Sequence, residues 1–328
     1  MREYLMMKAI PTPIIETINN NETFLILAHN RPDGDAIGSA IAFGKGLKKL
    51  GKKVDYYIET PVEDRLQFFS EPRYFGEVNH QQYDVVAFLD CSTYDFASKP
   101  DPMPEANVQM VIDHHKSNQN YGDVNFVEIT SATGELIFRV LRAFDIEMDE
   151  EMVDAVFTAI STDTGSFQFA NVTSDTHIIL SELYKLKDNF AVVSKRLHSE
   201  KTYAQMKLYG KAVESMRLYE NNTLAWIQLS YADISKYGGP LNITDDVANI
   251  GMNTIGVQLS ATLKEIETDV YKVSLRSKTP FNIDVSAIAK KHGGGGHMRA
   301  AGFTYTGELK ALRDELIMVI EDSRKNEA

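Results

Sequence analysis

The sequence predicts an α/β protein, with an N-terminal domain built on a parallel sheet with helices on both faces and a smaller C-terminal α+β domain. Length is the first reason: 328 residues exceed one ordinary core and fit two domains of about 150 residues each, with a cleft between them. Periodicity is the second, because the first half alternates short apolar runs with helical patterns, as strands buried on both faces do. The third is a change of character after Glu220-Asn221-Asn222, beyond which strand-like runs lead to one short and one longer helix.

Residues 23–28 read as a buried strand, and the polar loop after them opens a helix with apolar positions Ile37, Ala40, Ile41, Gly44 and Leu47, ending near Gly51. Residues 54–58, 85–89 and 108–112 read as three further strands, all buried on both faces. Helical spacing resumes over 134–144, opened by Ser131 or Thr133, and over 150–161, introduced by Asp149. From 174 to about 219 the pattern is almost continuously helical, with Gly210 its one glycine and no proline. The expected division is therefore a first domain over 1–190, a helical linker over 191–220 and a second domain over 221–328. In that second domain 224–229, 257–263 and 271–275 read as strands, and Asp284 caps a short helix through Lys291. The glycines 293–296 follow, and 308–322 closes as an amphipathic helix.

Hydrophobic residues make up 43% and charged residues 24% of the chain, a globular balance that excludes a disordered or fibrous protein. With 46 acidic against 34 basic residues the formal net charge is −12, which argues against gripping long duplex nucleic acid through the overall field. A polyanionic partner has to be short, or held through metal. The one cysteine, Cys91, excludes an intramolecular disulfide and a Cys-based zinc site, and fits a reducing compartment. Apolar runs such as 24–28 fall far below the roughly 20 residues that span a bilayer. Arg2 and Lys8 flank no stretch of signal-peptide length, so the expectation is a soluble cytoplasmic protein without a membrane partner.

Chemistry collects at the strand ends. His29 follows the first strand, Asp90 the third and Asp113-His114-His115 the fourth; in a parallel sheet such positions line one crevice and converge. The first loop, His29-Asn30-Arg31-Pro32-Asp33-Gly34-Asp35, turns tightly enough to aim His29, Asp33 and Asp35 together, although Asp35 also suits the N-cap of the next helix. Asp163 in Ser161-Thr162-Asp163-Thr164-Gly165 stands at a helix C-terminus, where the dipole favours cations; a metal resolves the conflict, and capping of the following turn is the alternative. Imidazoles and carboxylates without a thiolate suit Mn²⁺, with Mg²⁺ or Co²⁺ as substitutes, better than structural zinc. Four carboxylates over-charge one dication and balance two, which points to phosphoryl chemistry. Downstream, Gly293, Gly294, Gly295 and Gly296 leave backbone N–H groups open to an anion, with His297 and Arg299 as side-chain donors and Arg276 on the same surface. A flexible glycine linker is the other reading of that run.

Together these motifs resemble the DHH phosphoesterase superfamily, in the subgroup with a C-terminal DHH-associated domain of the GGGH type, and most closely its NrnA-type oligoribonucleases, or nanoRNases. The likeness runs from residue 29 to 302. It implies one metal held by His29, Asp33 and Asp90, and another by Asp35, Asp90, His114 and Asp163. It further implies that Asp90 bridges them, that Asp113 orients His114, and that His115 lies near the substrate phosphate, with Asp90, Asp113 and His115 as catalytic residues. The glycine run, His297 and Arg299 are implied to bind another phosphate or a terminal nucleotide across the cleft. The implied reaction is hydrolysis of very short single-stranded RNA to mononucleotides and removal of the 3′-phosphate of pAp, with room for a homodimer.

Rival readings are a manganese-dependent inorganic pyrophosphatase or exopolyphosphatase, which calls for a denser Lys/Arg cluster than this second domain offers, and a phosphodiesterase for pApA. A RecJ-like exonuclease for longer strands fits the acidic charge less well. A nucleotide-binding sensor on the same fold is weighed down by the competent residue at every implied ligand position.

Overall fold

The computed structural model describes residues 8–58, 62–237 and 246–325; Arg2, read above with the leader signals, lies outside them. The chain divides into two compact units, Met1–Glu200 and Lys201–Ala328. Among the described residues no helix is long and apolar enough to cross a membrane.

The first unit is built on five parallel strands, β1 (Thr23–Leu27), β2 (Lys53–Tyr57), β3 (Gln82–Leu89), β4 (Glu105–Asp113) and β5 (Val124–Val127), in the order β2-β1-β3-β4-β5. Its helices are α1 (Thr12–Asn20), α2 (Gly34–Lys49), α3 (Thr133–Ala143), α4 (Glu150–Asp163), α5 (Ser174–Leu186) and α6 (Ala191–His198). The central strands are buried on both faces, but β2 lies at the edge and is only partly covered, so full burial does not extend to it. Helices cover one face: Phe24, Ile26, Val85, Ala87, Met110 and Ile112 pack there against residues of α1 to α6. The opposite face, with Leu25, Leu27, Val86, Phe88 and Val111, is closed by loop residues such as Cys91, Ala97, Met103 and Tyr121 in place of a second helical layer. The physical reason is connectivity, since among the described residues of this unit only the link from β1 to β2 carries an α-helix between consecutive strands.

The helical layer is tight where it matters for the site. A β-carbon on Gly38 of α2 would lie 2.3 Å from the carbonyl oxygen of Ala155 and 3.1 Å from the Ala159 side chain on α4, so only glycine allows this approach. It brings the start of α2 and the end of α4 side by side.

The second unit carries a mixed six-stranded sheet, ordered β10-β11-β9-β8-β7-β6. Its strands are β6 (Arg217–Tyr219), β7 (Leu224–Leu229), β8 (Leu259–Glu267), β9 (Val270–Ser277), β10 (Gly295–His297) and β11 (Ala300–Tyr305). Helices α9 (Val285–Lys291) and α10 (Leu309–Lys325) pack on one face through Val285, Ile288, Leu312, Leu316 and Ile320, while α7 (Tyr203–Ser215) and α8 (Tyr231–Lys236) cover the other through Leu208, Ala212 and Ile234. Residues 191–220, expected as a linker, are divided: α6 buries Val193 and Leu197 in the first core, and α7 belongs to the second unit. The continuous helix expected over 174–219 is broken at Lys187 and again before Tyr203, where Thr202 and Gln205 form a capping box.

Candidate metal centre and active site

His29 stands two residues past the end of β1, Asp90 follows β3 and Asp113 ends β4, so the parallel register delivers all three to one edge of the first sheet. Asp33 caps α2, its Oδ1 accepting from the amides of Asp35 (3.0 Å) and Ala36 (3.1 Å). Asp35 is thereby free for another task. Its buried carboxylate reaches across to the start of α3, accepting from Thr133 N (2.7 Å) on Oδ2 and Gly134 N (2.9 Å) on Oδ1, while Ser39 donates to Oδ1 (3.0 Å). That answers how α3 begins: neither Ser131 nor Thr133 caps it, and Asp35 does so from 98 residues away in sequence. Asp163 is the last residue of α4, and Asn171 donates to its backbone oxygen (3.1 Å).

The carboxylates and imidazoles converge. His29 Nε2 lies 3.8 Å from Asp33 Oδ1 and 3.6 Å from Asp90 Oδ2. His114 Nε2 lies 3.6 Å from Asp90 Oδ1, 3.6 Å from Asp163 Oδ2 and 3.9 Å from Asp35 Oδ2. Asp90 thus turns one oxygen to each imidazole. Among the described residues three groups, His29-Asp33-Asp90, Asp35-His114-Asp163 and Asp90-His114-His115, each place their donor atoms within 4.8 Å of one another.

Asp113, expected to orient His114, hydrogen-bonds His115 instead: its Oδ1 lies 2.7 Å from His115 Nδ1, while His114 Nδ1 pairs with the carbonyl of Thr130 at 3.1 Å. The two rings stand with centroids 4.5 Å apart and planes at 62°, and His114 Nε2 and His115 Nδ1 each lie 3.6 Å from Asp90 Oδ1. The bond to a carbonyl puts the His114 proton on Nδ1 and leaves the Nε2 lone pair, a metal-ligand atom, among the carboxylates.

Charge in this cluster is unbalanced. Burial, then the charge of Asp33, pushes the Asp90 carboxyl up to about 6. Burial and the neighbouring Asp90 and Asp163 push Asp35 well above the ordinary carboxylate range, and burial raises Asp163. The hydrogen bond to Asp113 lifts His115 to about 9 against the opposing effect of burial. His29 is raised by Asp33 and Asp90 although its own burial works the other way. Among the described residues, the ion-pair partners of Asp33, Asp35, Asp90 and Asp163 are imidazoles, with no lysine or arginine. Converging carboxylates with imidazole nitrogens and no lysine or arginine to pair them are a donor set for hard or borderline divalent ions.

Several supporting residues carry no sequence signal. Phe96 stacks on His29 with ring centroids 5.3 Å apart and planes at 7°, and the strap behind it is pinned by Asn30 N to Phe96 O (2.9 Å) and Ser98 N to Ala28 O (2.8 Å). The Thr133 hydroxyl donates to Asp90 Oδ1 at 3.0 Å. Asn118 donates to Asp113 Oδ2 at 2.5 Å. These are single loop or helix-start residues, outside any periodic pattern.

The expected substrate-binding residues lie in the second unit. Gly293 follows α9 with φ 75°, and Gly295, Gly296 and His297 form β10, so half of the glycine run is a hairpin strand, not a free loop. Gly294 sits against the carbonyl of Gly302, where a β-carbon would come within 2.2 Å. His297 is exposed and faces Ala300 across the hairpin, and Ala300 in turn faces Arg276 on β9, so His297 and Arg276 share one cross-strand row. Arg299 is directed elsewhere: its Nη1 donates to the carbonyls of Lys278, Phe281 and Ile283, tying down the loop after β9.

Residues 23–160 match the DHH family, N-terminal domain, and residues 227–322 match the DHHA1 domain. A bifunctional oligoribonuclease and PAP phosphatase NrnA of Thermus thermophilus is 29% identical over 301 residues, spanning 89% of this chain and 89% of that protein. The protein of that name from Bacillus subtilis is 26% identical over 296 residues, 89% of this chain and 92% of its relative. An exopolyphosphatase-related protein from Bacteroides fragilis shares the fold, with a TM-score of 0.83 at 23% identity over 98% of both chains. With a strand-end cluster of Asp and His in its first unit and the hairpin of glycines in its second, the chain joins a DHH family N-terminal domain over residues 23–160 to a DHHA1 domain over residues 227–322.

Proposed function

We propose that this protein is a metal-dependent phosphoesterase that hydrolyses very short oligoribonucleotides to mononucleotides and removes the 3′-phosphate of pAp. The observation that carries the reading is Asp90, whose two oxygens each lie 3.6 Å from a different imidazole, His29 and His114. His29, Asp33 and Asp90 would hold one dication, and Asp35, Asp90, His114 and Asp163 a second, with Mn²⁺ the first candidate and Mg²⁺ or Co²⁺ as substitutes. Such ions polarise phosphoryl oxygens and make bound water acidic enough to supply a hydroxide nucleophile.

The chain's own groups do the rest. Asp113 keeps His115 protonated at neutral pH, giving a half-exposed imidazolium beside Asp90 to stabilise charge on a phosphate. His114, fixed by the Thr130 carbonyl, keeps its free nitrogen on the carboxylates. In the second unit, His297, Arg276 and the exposed residues Gly295 and Gly296 form the surface offered to a further phosphate or a terminal nucleotide, while Arg299 shapes the adjoining loop. The relatives from Thermus thermophilus and Bacillus subtilis support this substrate class by their names.

The test is time-resolved product analysis with Mn²⁺ on labelled di- to pentaribonucleotides, run beside pAp, pApA and pyrophosphate. Mononucleotides released from the shortest RNAs, with loss of the 3′-phosphate of pAp, are expected. Pyrophosphate as the one substrate turned over would establish the rival pyrophosphatase reading, and nucleotide binding without turnover under any dication would establish a sensor.

A further inference from the structure

Asp90, the shared carboxylate, sits on a backbone in the left-handed region, φ 52°, which a β-carbon disfavours. Such a conformation persists only where its surroundings over-determine it. On one side the Asp90 amide donates to Ile112 O at 3.1 Å. On the other, the carbonyl of Cys91 accepts from two groups of the loop after β4, Asn118 Nδ2 at 3.1 Å and the Tyr121 hydroxyl at 3.1 Å.

Asn118 does more than this. The same Nδ2 donates to Asp113 Oδ2 at 2.5 Å, its Oδ1 accepts from Asn120 N at 2.7 Å, and the next residue, Gln119, donates its amide to Ser92 O at 3.2 Å. One carboxamide therefore joins the turn carrying Asp90 to the carboxylate that fixes His115. Its oxygen is engaged as well, so the amide has little freedom to rotate away.

We infer that Asn118 is a positioning residue, holding the left-handed turn at Asp90 and the Asp113–His115 pair in one register, with Tyr121 as its partner on the Cys91 carbonyl. This rests on the metal-centre reading above. Asn118 touches no expected metal or substrate; it acts through Asp90 and Asp113.

Asn118→Leu removes the donors at similar size, and Tyr121→Phe removes one donor without disturbing the ring. Asn125→Ala is the matched control: Asn125 closes a neighbouring turn through Gly122, donating to its carbonyl at 2.7 Å and accepting its amide at 3.1 Å, without touching Asp90 or Asp113. Full-length proteins are titrated with Mn²⁺ while free ion is counted by electron paramagnetic resonance, with circular dichroism and melting followed in parallel. Asn118→Leu should retain the wild-type fold and bind Mn²⁺ about 10- to 100-fold more weakly, as lost outer-shell hydrogen bonds usually do. Asn125→Ala should lose stability and keep wild-type affinity. Wild-type Mn²⁺ affinity in Asn118→Leu, or equal weakening in Asn125→Ala, overturns the inference. Where Asn118→Leu does not fold, Tyr121→Phe decides, with about 2- to 10-fold weaker binding expected for one neutral hydrogen bond and unchanged binding refuting it. A wild-type protein that binds no dication overturns the metal centre itself, and the positioning role with it.

Discussion

Replacing Asp90 by asparagine should raise the stability of the metal-free protein at neutral pH while removing much of its response to dications. Asp90 is 3% exposed, and burial followed by the charge of Asp33 pushes its carboxyl from 3.8 to about 6. The folded state thus holds this proton more tightly than the unfolded chain, so the contribution is greatest below about pH 4 and is lost as pH rises through 6. A shift of about two units at 1.36 kcal/mol each puts the cost of the ionised form at roughly 3 kcal/mol by pH 7.5. Attraction from His114, His115 and His29 is already contained in that shift. Asparagine keeps the size and still accepts the Thr133 hydroxyl on Oδ1, without the charge. For a unit of some 200 residues, 3 kcal/mol corresponds to about 6–12 °C in Tm. Scanning calorimetry at pH 7.5 should show the variant melting above wild type in EDTA and gaining less from Mn²⁺. A variant that melts at or below wild type in EDTA refutes the account of crowded, uncompensated carboxylates.

Four further outcomes are expected. Metal-free wild type should lose stability steadily between about pH 4 and 9, because the raised Asp90 acts over the lower part of that window and the raised His115, fully stabilising below 6.5 and lost through about 9, over the upper part; urea titrations at stepped pH that peak near neutrality would contradict this. Gly38→Ala should cost about 1–3 kcal/mol, read from the denaturant midpoint, since its β-carbon meets the Ala155 carbonyl at 2.3 Å; an unmoved midpoint would mean α2 and α4 separate freely. Phe96→Ala should weaken Mn²⁺ binding by up to about tenfold and Phe96→Tyr should not, as judged by calorimetric titration; equal affinities would show that the stack on His29 does not position it. Arg299→Ala should lower the melting of the second unit by about 1–3 kcal/mol through the unsatisfied carbonyls of the 278–283 loop, and a variant as stable as wild type but with a raised KM would return Arg299 to substrate binding.

Much of the fold was legible because its parallel strands are apolar on both faces and end abruptly in Asp or His. That is how residues 29, 90 and 113–115 could be placed together before any coordinates. The strand β5 escaped notice because it has four residues and buries one of them, Phe126, leaving no pattern to detect. The helix break before Tyr203 was hidden for another reason: it is made by the capping box of Thr202 and Gln205 and not by Gly or Pro, and the break at Lys187 likewise lacks both. The pairing of Asp113 with His115 was not legible, because β4 ends at Asp113 and the two histidines lie beyond the regular strand. Phe96, Asn118, Thr133 and Asn171 were not legible as site residues either, since they work through tertiary contacts from a loop or helix start that leave no trace in spacing.

The double duty of Asp35 bears on how the protein handles its metal supply. Both its oxygens already accept N–H groups at the positive end of α3, so their electron density is partly drawn off before any cation arrives. A ligand weakened in this way gives a shallower well than Asp33 can, whose capping falls on a single oxygen. Were two dications to bind as proposed, the one held by Asp35, His114 and Asp163 should then be the first to leave and the first to be exchanged. Occupancy there would track the free concentration of the ion, and the helix start would stay capped while the ion came and went.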